Sequence, residues 1–255
     1  MLQRTLQALG LFGIDLRRFY RALVGLPPFV RDALKYRAAA AAGPFTIRVS
    51  ELRPALDDRM EQAGSAYGHY FYQDLWAARK IYTNRPNRHV DVGSRIDGFI
   101  AHLLVFMDVE VIDIRPLHSS VGGLTFRQAD ASRLDDYADM SIPSLSCLHA
   151  AEHFGLGRYG DPIDPEAPFR VMGELQRVLA PGGTLYFSVP IGHERVCFNS
   201  HRVFSPQTVL RTLCNLRLVS FSVVDDEGRF VENAQPSTVE SAYGACGMFE
   251  LTRLV

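Results

Sequence analysis

The stretch Arg88–Pro116, RHVDVGSRIDGFIAHLLVFMDVEVIDIRP, decides how the chain folds. It reads as a strand over His89–Val92, a tight turn through Gly93, a helix over about Asp97–Phe106 and a second strand over Val109–Ile114. Parallel strands need a crossover of a dozen or more residues, and such crossovers are right-handed, so both strands end at one edge of the sheet. That edge is where open α/β sheets bind nucleotide-like ligands. Asp113 closes the second strand about twenty residues beyond the turn, the spacing at which a carboxylate meets a ribose.

Downstream the alternation continues. Strands are expected over Leu124–Gln128, Ser144–Leu148 and Thr184–Val189, with an amphipathic helix over Phe169–Leu179 and a turn over Ala180–Gly183. A helix over Pro206–Cys214 then leads to Leu216–Val224 and Met248–Leu254, readable as an antiparallel pair. The expectation is an α/β fold: a doubly wound, Rossmann-like sheet of about seven strands with a terminal antiparallel pair, plus an N-terminal helical extension.

Upstream of the sheet domain (residues 86–255) lie two further segments. Residues 1–43 read as a basic helical extension in which Arg4, Arg17, Arg18, Arg21, Arg31, Lys35 and Arg37 face only Asp15 and Asp32. Phe12, Leu16, Phe19, Tyr20 and Leu23 fall at helical spacing, and Gly25–Pro28 predicts a break before a second helix. Such an arm either packs on its own domain with solvated arginines or touches an anionic membrane face or a partner protein. Residues 44–85 read as a helical cap: an extended piece at Phe45–Val49, a helix over Pro54–Ala63, and an aromatic segment, Tyr67–Tyr82, that turns helical around Gln73. Tyr67, His69, Tyr70 and Gln73 either form a substrate wall or belong to the helix whose core face is Phe71, Leu75, Ala78 and Tyr82.

A net charge of −1 gives no footprint for nucleic acid, and 47% apolar residues suffice for a sizeable core. His102, Asp108 and Glu110 interrupt the most apolar region, so no transmembrane segment is expected. Leu6–Ile14 is short, carries two glycines and lacks a small-residue cleavage site, which argues against a signal peptide. Cys147, Cys197, Cys214 and Cys246 form no CxxC pair and read as reduced thiols, which fits a cytoplasmic protein.

The motifs DVGSRIDG, VIDIRP, QADAS, SLSCLHAAEHFG and RVLAPGGTLYFSVP follow one another in an order and spacing that resembles class I S-adenosylmethionine-dependent methyltransferases, over roughly residues 86 to 255. More closely, HYFYQDLWAARKI, GSRIDGFIAH, CLHAAEHFGLGRYGDPID, SVPIG and FNSHRVF resemble an uncharacterised methyltransferase-like family, labelled only as a domain of unknown function. The resemblance implies S-adenosylmethionine as cofactor. It assigns Asp91, Gly93 and Ser94 to the cofactor loop, Asp113 and Ile114 to the ribose end, and Asp130 and Ala131 to the adenine end. This loop departs from the family pattern: Arg95 and Asp97 stand where second and third glycines are usual, and Gly98 follows one residue late. Arg95 then either points away, binds the cofactor carboxylate, or marks a different ligand.

His149–Asp164, after the fourth strand, is the candidate catalytic loop. Methyl transfer to oxygen needs a general base, and His153 or His149, with Glu152 beside them, has a suitable unperturbed range; a packing histidine is the plain alternative. Tyr70, Arg158, Tyr159, Asp161, His201 and Arg202 are the candidate acceptor contacts, the acceptor being a small molecule or glycan precursor. His149-Ala-Ala-Glu-His153 also spells a zinc-protease pattern, but that needs a long helix and Gly155 and Gly157 follow at once. No metal ligand set is assigned. Two other readings stay open: a non-catalytic Rossmann-like binding protein in polysaccharide assembly, and a hydrolase with a divalent ion on Asp161, Asp164 and His201 or His153.

Overall fold

The computed structural model describes residues 10–40, 44–59 and 61–255. They cluster into two compact units that divide between Ser65 and Ala66. The division falls within the 44–85 segment: from Ala66 onward the chain is counted with the sheet.

In the first unit a long helix, α1, runs Leu16–Ala39. Asp15 caps it, its carboxylate accepting from the Arg17 and Arg18 amides at 2.9 and 3.0 Å. The expected break at Gly25–Pro28 does not occur. Pro27 and Pro28 lie inside the helix, at the cost of two ladder hydrogen bonds. The expected helix over Pro54–Ala63 is also absent among the described residues. That segment instead lies along α1: a Cβ on Gly25 would stand 1.9 Å from the Leu56 carbonyl oxygen, and Asp57 and Arg59 pair with Arg18 and Asp32 at 2.7 and 2.8 Å. A helix there would swing these side chains off the surface they match. Residues 1–9 and 41–43, part of the expected basic arm and its linker, lie outside the described residues.

The second unit holds an eight-stranded sheet in the order β3-β2-β1-β4-β5-β10-β8-β9. The parallel strands are β1 (Val90–Val92), β2 (Val109–Asp113), β3 (Leu124–Gln128), β4 (Ile142–Leu148) and β5 (Leu179–Ile191). β10 (Ala245–Thr252) inserts antiparallel between β5 and β8 (Arg217–Val224), and β9 is the two-residue Phe230–Val231. The expected Rossmann-like sheet and antiparallel terminal pair are present. β5 is longer than expected and takes in the Ala180–Gly183 turn. Thr252 and Arg253 bind the Gly183 carbonyl through Oγ1 and the backbone amide at 2.9 and 3.2 Å, and Gly182 donates back to the Arg253 carbonyl. The segment after β5 contains a ribbon of β6 (Arg195–Cys197) and β7 (His201–Val203).

Helices cover both faces. On one side α2 (His69–Asn84) buries Trp76, Ala77, Ala78 and Ile81 against Phe99, Ile100, Leu103 and Val111. On the other, Val171, Met172, Leu175 and Val178 of α4 (Ala167–Val178) and Val209 of α5 (Pro206–Thr212) pack on Leu145, Phe187 and Phe249. The helix expected over Asp97–Phe106 is shorter: a wide π-type turn, Ile96–Ile100, opens into α3, only Ala101–Leu103. The crossovers leave the carboxyl ends of β1, β2 and β4 side by side.

Candidate active site

At that edge lies a cavity of about 220 Å³. Its floor is the turn after β1. Gly93 has φ of +73°, and a Cβ there would come within 2.9 Å of the Ala150 Cβ, so both the turn and the clearance call for glycine. The turn is fixed from below by Asp91, which is fully buried and accepts from the Ser94 amide and hydroxyl (2.9 and 2.6 Å) and from the Ser146 hydroxyl (2.5 Å). Burial pushes the Asp91 carboxyl up to about 6, although the Ser146 and Ser94 hydrogen bonds oppose the rise. Ser94 also accepts from the Leu148 amide at 3.1 Å, tying β1 to β4. His89 completes this layer: its ring nitrogens meet the Ser144 and Ser146 hydroxyls at 2.8 and 2.9 Å, and burial holds it neutral with its pKa down to about 3.

One wall carries Ile112, Asp113, Ile114, Arg115 and Ala131. Asp113 is held by Arg115, whose Nε and Nη2 donate to its two oxygens at 3.0 and 2.6 Å, and the Arg115 guanidinium in turn lies 4.5 Å from the centre of the Tyr159 ring. The Arg115 amide also donates to Oδ1 at 2.8 Å, so of the four lone-pair sites of the carboxylate one remains, on Oδ2, to accept from a ligand hydroxyl. Asp130 is exposed beyond this wall, accepting from the Ser132 amide at 2.8 Å. Arg95 lines the mouth, pairs with Asp97 through two hydrogen bonds of 3.1 and 2.9 Å, and lies 5.2 Å from the Tyr70 ring centre. Gly98 faces away from the cavity, where a Cβ would meet an Asp74 carboxylate oxygen at 2.5 Å.

The opposite wall comes from the loop after β4. His149 has φ of +49° and turns its ring inward. Nδ1 stands 3.0 Å from Glu152 Oε1, and Nε2 stands 3.2 Å from Cys246 Sγ on β10. Burial alone would lower the His149 pKa, but the charges and hydrogen bonds of Cys246 and Glu152 raise it well above the ordinary value. Glu152 is buried, which raises a carboxyl, yet His149 draws it below the usual range. His153 donates from Nδ1 to the Ser200 carbonyl at 2.6 Å, because a carbonyl can only accept, which leaves the lone pair on Nε2. Burial lowers the His153 pKa, so this ring is neutral near pH 7.

The remaining predicted residues divide into liners and supports. Tyr70, Tyr159 and Asp161 line the cavity. Asp161 also accepts from the Gly155 and Tyr159 amides at 2.7 and 3.2 Å. Arg158 donates to the Ser200 carbonyl at 3.0 Å, buried Arg202 donates to the Phe154 carbonyl at 2.6 Å, and His201 bonds the Ser200 hydroxyl at 2.9 Å; these three brace the loop from outside the cavity. Asp161, Asp164 and His201 are not gathered as a metal set, since Asp164 pairs with Arg170. Reasoning from sequence missed Arg115 and the contact of His149 with Cys246. The first has a local signal, a cation two residues after Asp113, whereas the second joins residues 97 apart with no pattern linking them.

Residues 128–228, from β3 into the hairpin after β8, match the family described as "Caenorhabditis protein of unknown function, DUF268". No curated protein sequence matches the chain. Among solved structures it resembles the [4+2]-cyclase SpnF, with TM-score 0.52 and 15% identity over 91% of this chain and 96% of that one. It also resembles the N-methyltransferase NodS of Bradyrhizobium japonicum WM9 in complex with S-adenosyl-L-homocysteine, with TM-score 0.50 and 11% identity over 87% and 98%. The chain therefore shares the Rossmann-like fold of these two structures, with β10 antiparallel to both β5 and β8.

Proposed function

We propose that this chain transfers a methyl group from S-adenosylmethionine to a small polar acceptor. The observation that carries the reading is the cavity at the carboxyl edge, with Asp113 on one wall and, on the other, the neutral His153, whose Nδ1 donates to the Ser200 carbonyl. The residues fit the cofactor: Gly93 leaves the space a Cβ would fill, Asp113 keeps a free lone pair on Oδ2 for a ribose hydroxyl, and Ile114 and Ala131 offer apolar surface to a base. When bound, S-adenosylmethionine supplies an electrophilic methyl group on a sulfonium centre. Asp91 and Ser94 hold the turn beneath it, and Arg95, at the mouth, is placed for a carboxylate. Asp130 stands further out, at the adenine end. His153 takes the acceptor proton at Nε2 while Ser200 fixes its tautomer, and His149 and Glu152 shape the space beside it.

Tyr70, Tyr159 and Asp161 would contact the acceptor directly, with Arg158, His201 and Arg202 supporting the loop that carries them. We infer a sugar or glycan-precursor hydroxyl, on the polarity of this wall. We place the protein in the cytoplasm, with α1 meeting an anionic membrane face or a partner. In support, no helix among the described residues is long and apolar enough to cross a membrane, and Phe19, Tyr20 and Leu23 of α1 are exposed beside its arginines. A second reading, an enzyme of another class, is favoured by SpnF, whose name records a cyclase on the same fold.

Calorimetry with S-adenosylmethionine and S-adenosylhomocysteine tests the proposal. Both should bind, and Asp113→Ala should weaken S-adenosylhomocysteine at least ~10-fold, about 1.4 kcal/mol. Failure of either compound to bind would sink the enzyme reading, and unchanged affinity in the variant would show that Asp113 does not hold the ribose.

A further inference from the structure

Three potential metal ligands converge behind the acceptor wall from distant parts of the chain: His69 at the start of α2, His149 at the end of β4 and Cys246 in β10. One donor atom from each lies within 4.8 Å of the others. Zinc binds nitrogen at about 2.0–2.1 Å and sulfur at about 2.3 Å, so a tetrahedral site needs an N···S separation of roughly 3.5 Å. The His149 Nε2 to Cys246 Sγ distance of 3.2 Å is close to that.

The surroundings match a metal site as well as the ligands do. A ligating histidine ordinarily gives its other ring N–H to a carboxylate, and Glu152 Oε1 stands 3.0 Å from His149 Nδ1. Glu152 is 1% exposed, and its second oxygen, Oε2, is buried without a hydrogen-bond partner. A buried carboxylate with an orphaned oxygen is costly unless positive charge lies nearby. Gln73 is buried alongside, its Oε1 accepting from the Ser188 hydroxyl at 2.5 Å and lying 3.9 Å from Cys246 Sγ. No protein cation other than the histidines themselves is paired with Glu152 among the described residues.

We propose that His69, His149 and Cys246 bind one zinc-like divalent ion, with Glu152 as the outer carboxylate that orients His149. Two imidazoles and a thiolate select zinc and its transition-metal neighbours over magnesium or calcium. On binding, Cys246 loses its thiol proton to solvent, and the metal takes the place of any proton on His149 Nε2. Neutral imidazoles, a thiolate and a divalent ion leave one positive charge, which the Glu152 carboxylate balances. Three protein ligands leave a fourth position open, the pattern of a catalytic site, and His149 also lines the cavity. Metal binding itself does not depend on the methyl-transfer reading.

The test uses the full chain, stripped with a chelator and titrated with Zn²⁺ by calorimetry and with Co²⁺ by absorption. One Zn²⁺ should bind per chain, and Co²⁺ should give a thiolate-to-metal charge-transfer band together with tetrahedral ligand-field bands. Cys246→Ser should lose the charge-transfer band. His69→Ala, at a partly exposed helix start where folding is not at stake, should weaken Zn²⁺ binding at least ~10-fold, and Glu152→Gln by roughly 10–100-fold. Absence of the charge-transfer band in the native chain, its persistence in Cys246→Ser, or unaltered Zn²⁺ affinity in His69→Ala would each overturn the assignment. S-adenosylhomocysteine calorimetry on the same stripped protein separates this outcome from failure of the methyl-transfer reading.

Discussion

The two loops that face each other across the cavity are built in opposite ways. The loop after β1 satisfies its side chains mostly locally: Ser94 binds Asp91 and Arg95 binds Asp97, while Gly93 meets Ile112 of β2, Arg95 the Tyr70 ring, and Asp91 and Ser94 reach Ser146 and Leu148 of β4. The loop after β4 depends on distant chain: His149 meets Cys246, His153 and Arg158 meet Ser200, and Arg202 reaches back to Phe154. A local turn can be rebuilt around a changed residue with small adjustments, whereas a junction of four elements holds its buried charges only while every partner stays in place. The loop after β1 should therefore tolerate substitution with little loss of stability, and the loop after β4 should lose more.

The largest effect should come from Glu152→Ala. Glu152 is fully buried and paired with His149, and removing one member of a buried pair costs about 3–5 kcal/mol because the other charge is left uncompensated. Urea unfolding of the chelator-treated variant measures it. A loss below about 1 kcal/mol would mean that the pair is solvated in practice and that the contrast between the loops fails.

A second, intermediate effect concerns the layer beneath both loops. His89, held at about 3, is neutral in the folded protein but titrates near 6.5 when unfolded, so its contribution to stability is present above pH 6.5 and is lost as pH falls toward 3. Asp91, raised to about 6 from about 3.8, works the other way: its contribution is present below 3.8 and is lost as pH rises through 6. Between about pH 4 and 6 the two offset each other, and below about 4 only His89 continues, at ~1.4 kcal/mol per pH unit. The difference between the native and His89→Gln stability curves isolates this behaviour. Parallel curves from about pH 3 to 7 would show that the ring is not held neutral.

How much of this was readable in advance follows the same division. The strand, turn and strand of Arg88–Pro116 and the positions of Gly93 and Asp113 at the edge rest on short-range pattern, which periodicity and turn chemistry report directly. Two elements misled where tertiary contact overrode local preference. Pro27 and Pro28 sit inside an intact helix, and Pro54–Ala63 lies along α1 where helical patterning was expected. The β6–β7 ribbon was hidden because its pairing residues look like a polar loop. On the site, Tyr70, His149, His153 and Tyr159 were legible as polar groups near strand ends, but their partners were not: Cys246 and Ser200 come from β10 and the β6–β7 turn, and only the completed sheet brings them in. Arg158, His201 and Arg202 look like ligand contacts in sequence because a bracing arginine and a binding arginine have the same composition.

Arg95 gives the smallest effect on stability and the finest test of the comparison. Its side chain is 54% exposed and its partner Asp97 75%, and exposed pairs of this kind contribute at most about 1 kcal/mol. Arg95→Ala should therefore shift the urea midpoint little. The same guanidinium lines the cavity mouth over Tyr70, at the position where glycine would let a cofactor approach the backbone. If it exchanges Asp97 for the carboxylate of the cofactor's methionine part, the variant loses a charged hydrogen bond, and S-adenosylhomocysteine affinity should fall ~10-fold, about 1.4 kcal/mol. Binding that is unchanged or tighter would assign Arg95 to the surface pair alone and make the β1 loop a support for the ligand through Gly93 and Asp113 only, so the affinity measured beside the unfolding curve decides which loop residue replaces the missing glycine.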